Sequence, residues 1–210
     1  MANVKGEGEV AARILSVGSV GRAQLLATLL DAPAPGKPLF QRISTRGFLT
    51  FTGRYNGEPV SIISTHMGLP NMDFVVRESR AVVRGQMAIV RLGTCGAVQR
   101  PAKLGDLLIA SHGSIAIRRD PDYWTLLETA NDQPSCSGNG NGSSSNGNGG
   151  SSNGNGIAAA AQRKPYAVSL PVPAHAQLSG ILAEEATRAV GAERVVLGLN
   201  ASADSFYSSQ

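Results

Sequence analysis

The sequence is poor in aromatic residues, cysteine and histidine, and it contains no long apolar run. Aromatic residues make up 5% of the 210 residues, and there are two cysteines and three histidines. No apolar stretch approaches the roughly 20 residues that span a bilayer, and the acidic first nine residues lack the apolar core of a secretory signal. We therefore expect no membrane partner and a cytoplasmic location.

The few cysteines and histidines also argue against a disulfide framework and a metal site. Cys95 follows a predicted strand whereas Cys136 lies in a polar stretch, so no structural disulfide is expected, which favours a reducing compartment. His66, His112 and His175 follow no metal-binding spacing, and we expect no metal.

Positive charge is concentrated in the first half of the chain. The net charge is +4, and residues 13–119 hold fourteen Lys or Arg against five acids. Arginine matches phosphate with its planar fork, although a solvated basic surface is the simpler explanation for most of these residues. The chain has no RNA-recognition signature, zinc-finger spacing or basic helix, so we expect no nucleic-acid partner.

One low-complexity segment divides the chain. Residues 137–156 consist of Ser, Gly and Asn alone and predict a disordered insertion. The parts on either side, 1–132 and 165–210, are interpreted as two pieces of one domain covering residues 1–210, because the second piece predicts only one helix and one strand.

Short apolar runs alternate with helical periodicity, which indicates an α/β fold with a mixed sheet. The Asn56-Gly57 pair predicts a hairpin, and Gly191 predicts a helix end. Strands are predicted at 13–17, 48–55, 59–65, 87–92, 106–110 and 195–199, and helices at 23–30, 72–83 and 173–191.

Two glycine-containing turns are candidate anion sites. Residues 17–22, VGSVGR, join a strand to a helix across two glycines and end in Arg22, so backbone N–H groups and a guanidinium could meet an anion; a tight connection is the alternative. Residues 91–96, RLGTCG, follow an apolar strand, and Arg91 would need a partner, either an acid such as Asp106 or a bound phosphate. A third segment, 44–48, STRGF, is by itself a surface loop.

The last seven residues, DSFYSSQ, follow the predicted strand at 195–199. Phe206 could stack on a planar heterocycle, and the amide of Gln210 offers a donor and an acceptor to its edge. Asp204 is expected to be a turn or cap residue.

Together and in this order, these segments resemble the nucleoside phosphorylase family, most closely its uridine phosphorylase branch, over about residues 13–120 and 174–210. Residues 64–71 parallel the family's S-T-x-[IM]-G-x-P-[SN] turn, where His66 could line the site. The resemblance implies phosphate contacts for Gly18 and Arg22, catalytic phosphate and ribose contacts for Arg91 and Thr94, a contact from Arg46 to a neighbouring subunit's phosphate, and base contacts for Phe206 and Gln210.

The resemblance also implies a fold and an activity. The expected fold is an α/β nucleoside-phosphorylase-like mixed sheet flanked by helices and incomplete at the C-terminus. The expected reaction converts uridine and phosphate to uracil and ribose 1-phosphate in a homo-oligomer, a dimer or a trimer of dimers, with no cofactor beyond phosphate as co-substrate. Gly47 replaces a Glu that holds a monovalent cation in some relatives, so that ion is not expected.

Two alternative functions remain open. The family's Arg two residues past the Gln, and its later M-E-x-E segment, have no counterparts in these 210 residues, so we expect little or no turnover by this chain. It could therefore be a catalytically dead member that binds phosphate or nucleoside, or that oligomerises. The other alternative is a purine nucleoside phosphorylase.

Overall fold

The computed structural model describes residues 9–36, 38–123, 125 and 164–205. The chain forms two compact units, Met1–Val98 and Gln99–Gln210. Strands from both sides of residues 137–156 pair with each other in the second unit. The segment 137–156 itself lies outside the described residues, and the single domain over 1–210 stays a prediction.

The first unit contains a five-stranded mixed sheet in the order β2-β3-β4-β1-β5. Strand β1 lies between β4 and β5 and is parallel to both, whereas β3 is antiparallel to β2 and β4. The predicted α/β class with a mixed sheet is confirmed. The elements are β1 Arg13–Val17, α1 Val20–Ala27, β2 Phe40–Ile43, β3 Leu49–Tyr55, β4 Glu58–Ser64, α2 Leu69–Val82 and β5 Ala88–Leu92.

Alternating side chains of this sheet build two apolar clusters, because successive residues of a strand point to opposite faces. In β1, Ile14 joins the cluster that contains Val75 of α2, whereas Val17 joins the cluster that contains Ala23 of α1. In β4, Ile63 and Ile62 divide in the same way. The sheet therefore has a helix on each face.

The hairpin between β3 and β4 forms at Asn56-Gly57 as predicted. Asn56 has φ 51° and Gly57 has φ 80°, the left-handed pair that a tight hairpin turn requires. The two carboxylate oxygens of Asp31 accept hydrogen bonds from the backbone N–H of Asn56 at 3.0 Å and of Gly57 at 2.8 Å. Asp31 therefore fastens the turn to the segment that follows α1.

Replacing Asp31 by alanine is expected to lower the free energy of unfolding by about 1–2 kcal/mol, because two turn N–H groups lose a charged acceptor. Urea denaturation measures this change. Asp73→Ala is a matched control, since its exposed i,i+4 pair with Arg77 should contribute less than about 0.5 kcal/mol. Equal losses in the two variants would show that Asp31 does not fasten the turn.

The sequence-based predictions put both helix starts of the first unit too late and missed one strand of that unit. Helix α1 begins at Val20 rather than at residue 23, because Ser19 caps it, and α2 begins at Leu69 rather than at residue 72, after Gly68. The missed strand β2, Phe40–Ile43, lies at the sheet edge and has a polar centre, so apolar periodicity does not reveal it.

The second unit contains a three-stranded sheet, β10-β7-β8, and a two-stranded parallel sheet of β6 and β9. Helix α3 packs against β6 and β9. The elements are β6 Leu107–Ile109, β7 Ser114–Arg119, β8 Tyr166–Val168, α3 Ala176–Val190, a 3-10 turn Ala192–Arg194, β9 Val195–Leu197 and β10 Asn200–Ala203.

The prediction of one strand after residue 165 is wrong, because that part of the chain contains three. The apolar run at 195–199 ends as a strand at Leu197, and β10 then pairs with β7 despite its short polar and alanine side chains. Helix α3 begins at Ala176 rather than at residue 173, since His175 Nδ1 accepts from the N–H of Leu178 at 3.3 Å. Gly191 ends the helix with φ 90°, as predicted.

Across the described ranges, no helix combines the length and the apolar character needed to cross a bilayer.

Candidate phosphate site

The carboxyl ends of β4, β1 and β5 lie side by side and carry the residues of the candidate site. Val17 at the end of β1 pairs with Ser64 of β4 and with Leu92 of β5. The turns after parallel strands meet at one edge of a sheet, where ligands of α/β proteins bind. The glycine turn at residue 18 and the arginine at residue 91 are thereby brought to neighbouring positions.

Ser19 shapes the turn that follows β1. Its Oγ accepts from the backbone N–H of Arg22 at 3.3 Å, which caps α1, and from Arg22 Nε at 3.2 Å. One hydroxyl therefore starts the helix and directs the Arg22 side chain back toward the helix N-terminus. Free N–H groups at a helix N-terminus and a guanidinium beside them are the components of an anion site.

Gly18 leaves room for two guanidinium groups. A Cβ at this position would lie 3.2 Å from Arg22 Nη2 and 3.4 Å from Arg91 Nη2. Alanine would therefore crowd the Arg22 nitrogen and touch the Arg91 nitrogen, whereas glycine leaves space for both. The structure brings together three of the residues that the sequence predicted for phosphate, Gly18, Arg22 and Arg91, although their role in binding phosphate stays a prediction.

Arg91 rests on oxygens from β1 and from the two residues that follow β4. Its Nη1 donates to Ser16 Oγ at 3.1 Å and to Thr65 Oγ1, and its Nη2 donates to the carbonyl oxygen of His66 at 3.2 Å. Ser16 and Thr65 are fully buried, with exposures of 0% and 1%. These three residues, Ser16, Thr65 and His66, form what we call the arginine seat.

Asp106, the acid considered as a partner for Arg91, has contacts within its own unit. Asp106 accepts from the N–H of Lys103 at 2.8 Å and lies 3.8 Å from Arg194 Nε. Within the described ranges, neither Arg22 nor Arg91 forms an ion pair with a carboxylate. Among the described residues of the first unit, the partners of Arg91 are uncharged oxygens, which orient its fork without neutralising its charge.

The two arginines repel each other electrostatically. The Arg91 side chain is exposed as a whole, but its guanidinium sits against the arginine seat. This partial burial lowers the pKa of Arg91, and the positive charge of Arg22 lowers that pKa further. Arginine stays protonated near neutral pH, so the folded chain holds two close positive charges at a cost in electrostatic free energy. A bound anion would remove that cost.

Arg46 lies on a loop that is held by two hydrogen bonds to Ser44. Ser44 Oγ accepts from the N–H of Phe48 at 3.0 Å, and Ser44 O accepts from the N–H of Gly47 at 2.9 Å. The exposed guanidinium of Arg46 stacks over the ring of Phe74 in α2, with 4.1 Å from Cζ to the ring centroid. Its predicted contact to a neighbouring subunit's phosphate stays a prediction.

The loop after β5 is open. Thr94 and Cys95 are exposed, and a Cβ at Gly93 or Gly96 would meet no atom within 4 Å. Thr94 lies three residues after Arg91 in the sequence, and its predicted catalytic role stays a prediction.

The predicted base contacts, Phe206 and Gln210, lie outside the described residues. Asp204, just before them, accepts from the N–H of Arg119 with both carboxylate oxygens, at 3.2 and 3.0 Å. It thus ties the end of β10 to β7, as expected of a turn or cap residue.

Sequence reasoning missed the arginine seat apart from His66. Ser16 and Thr65 stand within or just after apolar strands, where a hydroxyl must find a partner. Their common partner, Arg91, is far away in the sequence, so only the strand pairing shows the contact. Buried hydroxyls in apolar strands were the available signal.

The fold and the two converging arginines define an α/β protein with a candidate anion site at the carboxyl edge of a sheet. The family model of the Phosphorylase superfamily matches residues 12–210. The chain belongs to this superfamily, which confirms the resemblance found in the sequence.

The relatives to which this chain is similar are named after different substrates. A solved structure described in a study of two uridine phosphorylases of the oomycete Phytophthora capsici shares 38% identity, with a TM-score of 0.75, and the match covers 100% of this chain and 64% of that one. A purine nucleoside phosphorylase DeoD-type of Geobacillus sp. (strain WCH70) is 37% identical over 109 residues, 51% of this chain and 43% of the relative. The chain thus spans less than half the length of that curated relative.

A more distant solved structure shows the fold alone. The Trypanosoma brucei nucleoside phosphorylase shares 24% identity, with a TM-score of 0.57 over 95% of this chain.

Proposed function

We propose that this chain supplies the phosphate half of a nucleoside phosphorylase active site, and that the reaction is phosphorolysis of uridine. The observation that carries the proposal is the convergence of Arg22 and Arg91 over Gly18 without a carboxylate partner in the described ranges. Membership of the Phosphorylase superfamily gives the anion its chemical role as a co-substrate. No further cofactor is part of the proposal.

Phosphorolysis forms a bond from a phosphate oxygen to ribose C1′ and breaks the bond from C1′ to the base. The electrons of the broken bond leave with the base, which takes up a proton to give uracil, and the sugar becomes ribose 1-phosphate. The transition state carries positive charge at C1′, so a fixed phosphate anion beside it stabilises that charge. Arg22 and Arg91 would hold the phosphate, and the oxygens of the arginine seat would keep Arg91 oriented.

Thr94 and Arg46 have proposed roles at the edge of this site. Thr94 would bind phosphate and ribose through its hydroxyl, on the open loop after β5. Arg46 would reach the phosphate of a neighbouring subunit in a homo-oligomer, and its exposed position on Phe74 leaves it available for that contact. Phe206 and Gln210 would contact the base.

Purine nucleosides are the second candidate substrates. The curated relatives that match about half of this chain, at up to 37% identity, are named as purine nucleoside phosphorylases. Uridine takes precedence because the uridine phosphorylase match has similar identity and covers the whole chain.

Phosphate is expected to stabilise the chain whether or not the base is turned over. At a phosphate concentration one hundred times Kd, the gain should be about 2.7 kcal/mol, which raises Tm. Differential scanning fluorimetry with phosphate, and with chloride at equal ionic strength as the control, measures this gain. The absence of a phosphate-specific rise in Tm would contradict the proposed site.

Turnover is tested separately with uridine, inosine and adenosine, each with and without phosphate. Phosphate-dependent release of uracil supports the uridine assignment, and faster release of a purine base would replace it with the second candidate. Phosphate stabilisation with no release from any nucleoside would assign a binding role to these 210 residues.

A further inference from the structure

His66 has a backbone conformation that side chains disfavour. Its φ is 55°, and of the described residues other than glycine only Asn56 shares a positive φ. Asn56 occupies a hairpin turn that requires this conformation, whereas His66 lies between β4 and α2. Strained residues of this kind persist where the surrounding structure holds them, and they concentrate at functional sites.

The backbone of His66 contacts the guanidinium of Arg91. Its carbonyl oxygen accepts from Arg91 Nη2 at 3.2 Å, next to the Oγ1 of Thr65, which accepts from Nη1. Two consecutive residues therefore bind both terminal nitrogens of one guanidinium. The orientation of a carbonyl group follows the backbone dihedrals, so relaxation of His66 to an extended conformation would turn its oxygen away from Arg91.

The ring of His66 is anchored on the other side. Its Nε2 lies 3.0 Å from Gly47 O, which can only accept, so Nε2 carries the hydrogen of this bond. The ring also lies against Phe48, with 5.7 Å between centroids, and Phe48 is 3% exposed in the core. These two contacts offset the strain and keep the backbone left-handed.

We propose that His66 is a positioning residue for phosphate binding, which acts through its backbone carbonyl on Arg91 while its ring holds that backbone in the left-handed conformation. The role rests on the proposed phosphate site. The imidazole is not required to touch the phosphate.

Three substitutions at position 66 distinguish the role of the backbone from the role of the imidazole ring. Glycine adopts the left-handed conformation without strain, asparagine tolerates it better than most residues, and alanine does not favour it. His66→Gly and His66→Asn should therefore keep the carbonyl available to Arg91, whereas His66→Ala should release it. We expect Kd for phosphate to stay within about threefold of the unsubstituted chain for Gly and Asn, and to rise about tenfold for Ala.

Isothermal titration calorimetry with inorganic phosphate, together with urea denaturation of each variant, tests this order. Recovery of phosphate affinity from Ala to Asn to Gly supports the role, because a purely structural histidine would show no such recovery. Equal affinity in all three variants, or a Gly variant as weak as the Ala variant, would overturn it while leaving the phosphate site intact. An unsubstituted chain that binds no phosphate would overturn both proposals.

Discussion

Replacement of Arg91 by methionine is expected to weaken phosphate binding at least about a hundredfold. Methionine keeps much of the length of the side chain and removes the charged fork. Loss of one preorganised donor to an oxyanion costs on the order of 10²–10³ in rate, and we expect a similar loss in phosphate affinity here. The fold should tolerate the change, because the variant also removes the repulsion between Arg91 and Arg22 that lowers the Arg91 pKa. Calorimetric titration with phosphate measures the effect.

Two further variants make this result specific. Arg77→Met removes an exposed arginine of α2 whose partner is Asp73, and it should leave phosphate affinity unchanged. Arg91→Lys restores the charge without the planar fork and should recover only part of the affinity. The proposed site is wrong if Arg91→Met binds phosphate as tightly as the unsubstituted chain.

Replacement of Ile63 by alanine is expected to lower the free energy of unfolding more than Asp31→Ala does. Ile63 is fully buried in β4, with an exposure of 0%, and it packs in the cluster with Ile14, Phe48 and Val75. Removal of a buried isoleucine side chain to alanine costs about 2–5 kcal/mol, because apolar contacts are lost and a cavity remains. Urea denaturation, followed by far-UV circular dichroism, gives the change in the free energy of unfolding.

Ile43→Ala is the matched control in the same sheet. Ile43 is 63% exposed in the edge strand β2, so its loss should cost less than about 1 kcal/mol. Similar losses for Ile43 and Ile63 would show that β4 is not the centre of this core.

The elements of the first unit were predictable where the local signal is strong. Apolar runs predicted β1, β4 and β5, and the Asn56-Gly57 pair predicted the hairpin. Strands with weak local signals were missed. In β10, two alanines alternate with Asn200 and Ser202, so its strand conformation comes from pairing with β7 rather than from its own preference.

The candidate site was predictable from motifs, but its supporting contacts were not. The glycine turn and Arg91 stand out because glycine and arginine at strand ends suit an anion. Ser16 and Thr65 reach Arg91 through the pairing of β1 with β4 and β5, which no local pattern specifies. The left-handed backbone of His66 was equally hidden, since only a small fraction of histidines adopt such a conformation and the sequence does not show which.

The placement of β1 between β4 and β5 has a consequence for folding kinetics. Arg91 and Ser16, which meet in the finished site, are 75 residues apart in the chain, and Thr65 and Val17 are 48 apart. Contacts of this range form slowly, because the chain must close long loops before parallel strands can pair. The arginines converge only after both pairings exist, so we expect phosphate to bind after the main folding barrier has been crossed. Phosphate should therefore slow unfolding and leave the folding rate nearly unchanged.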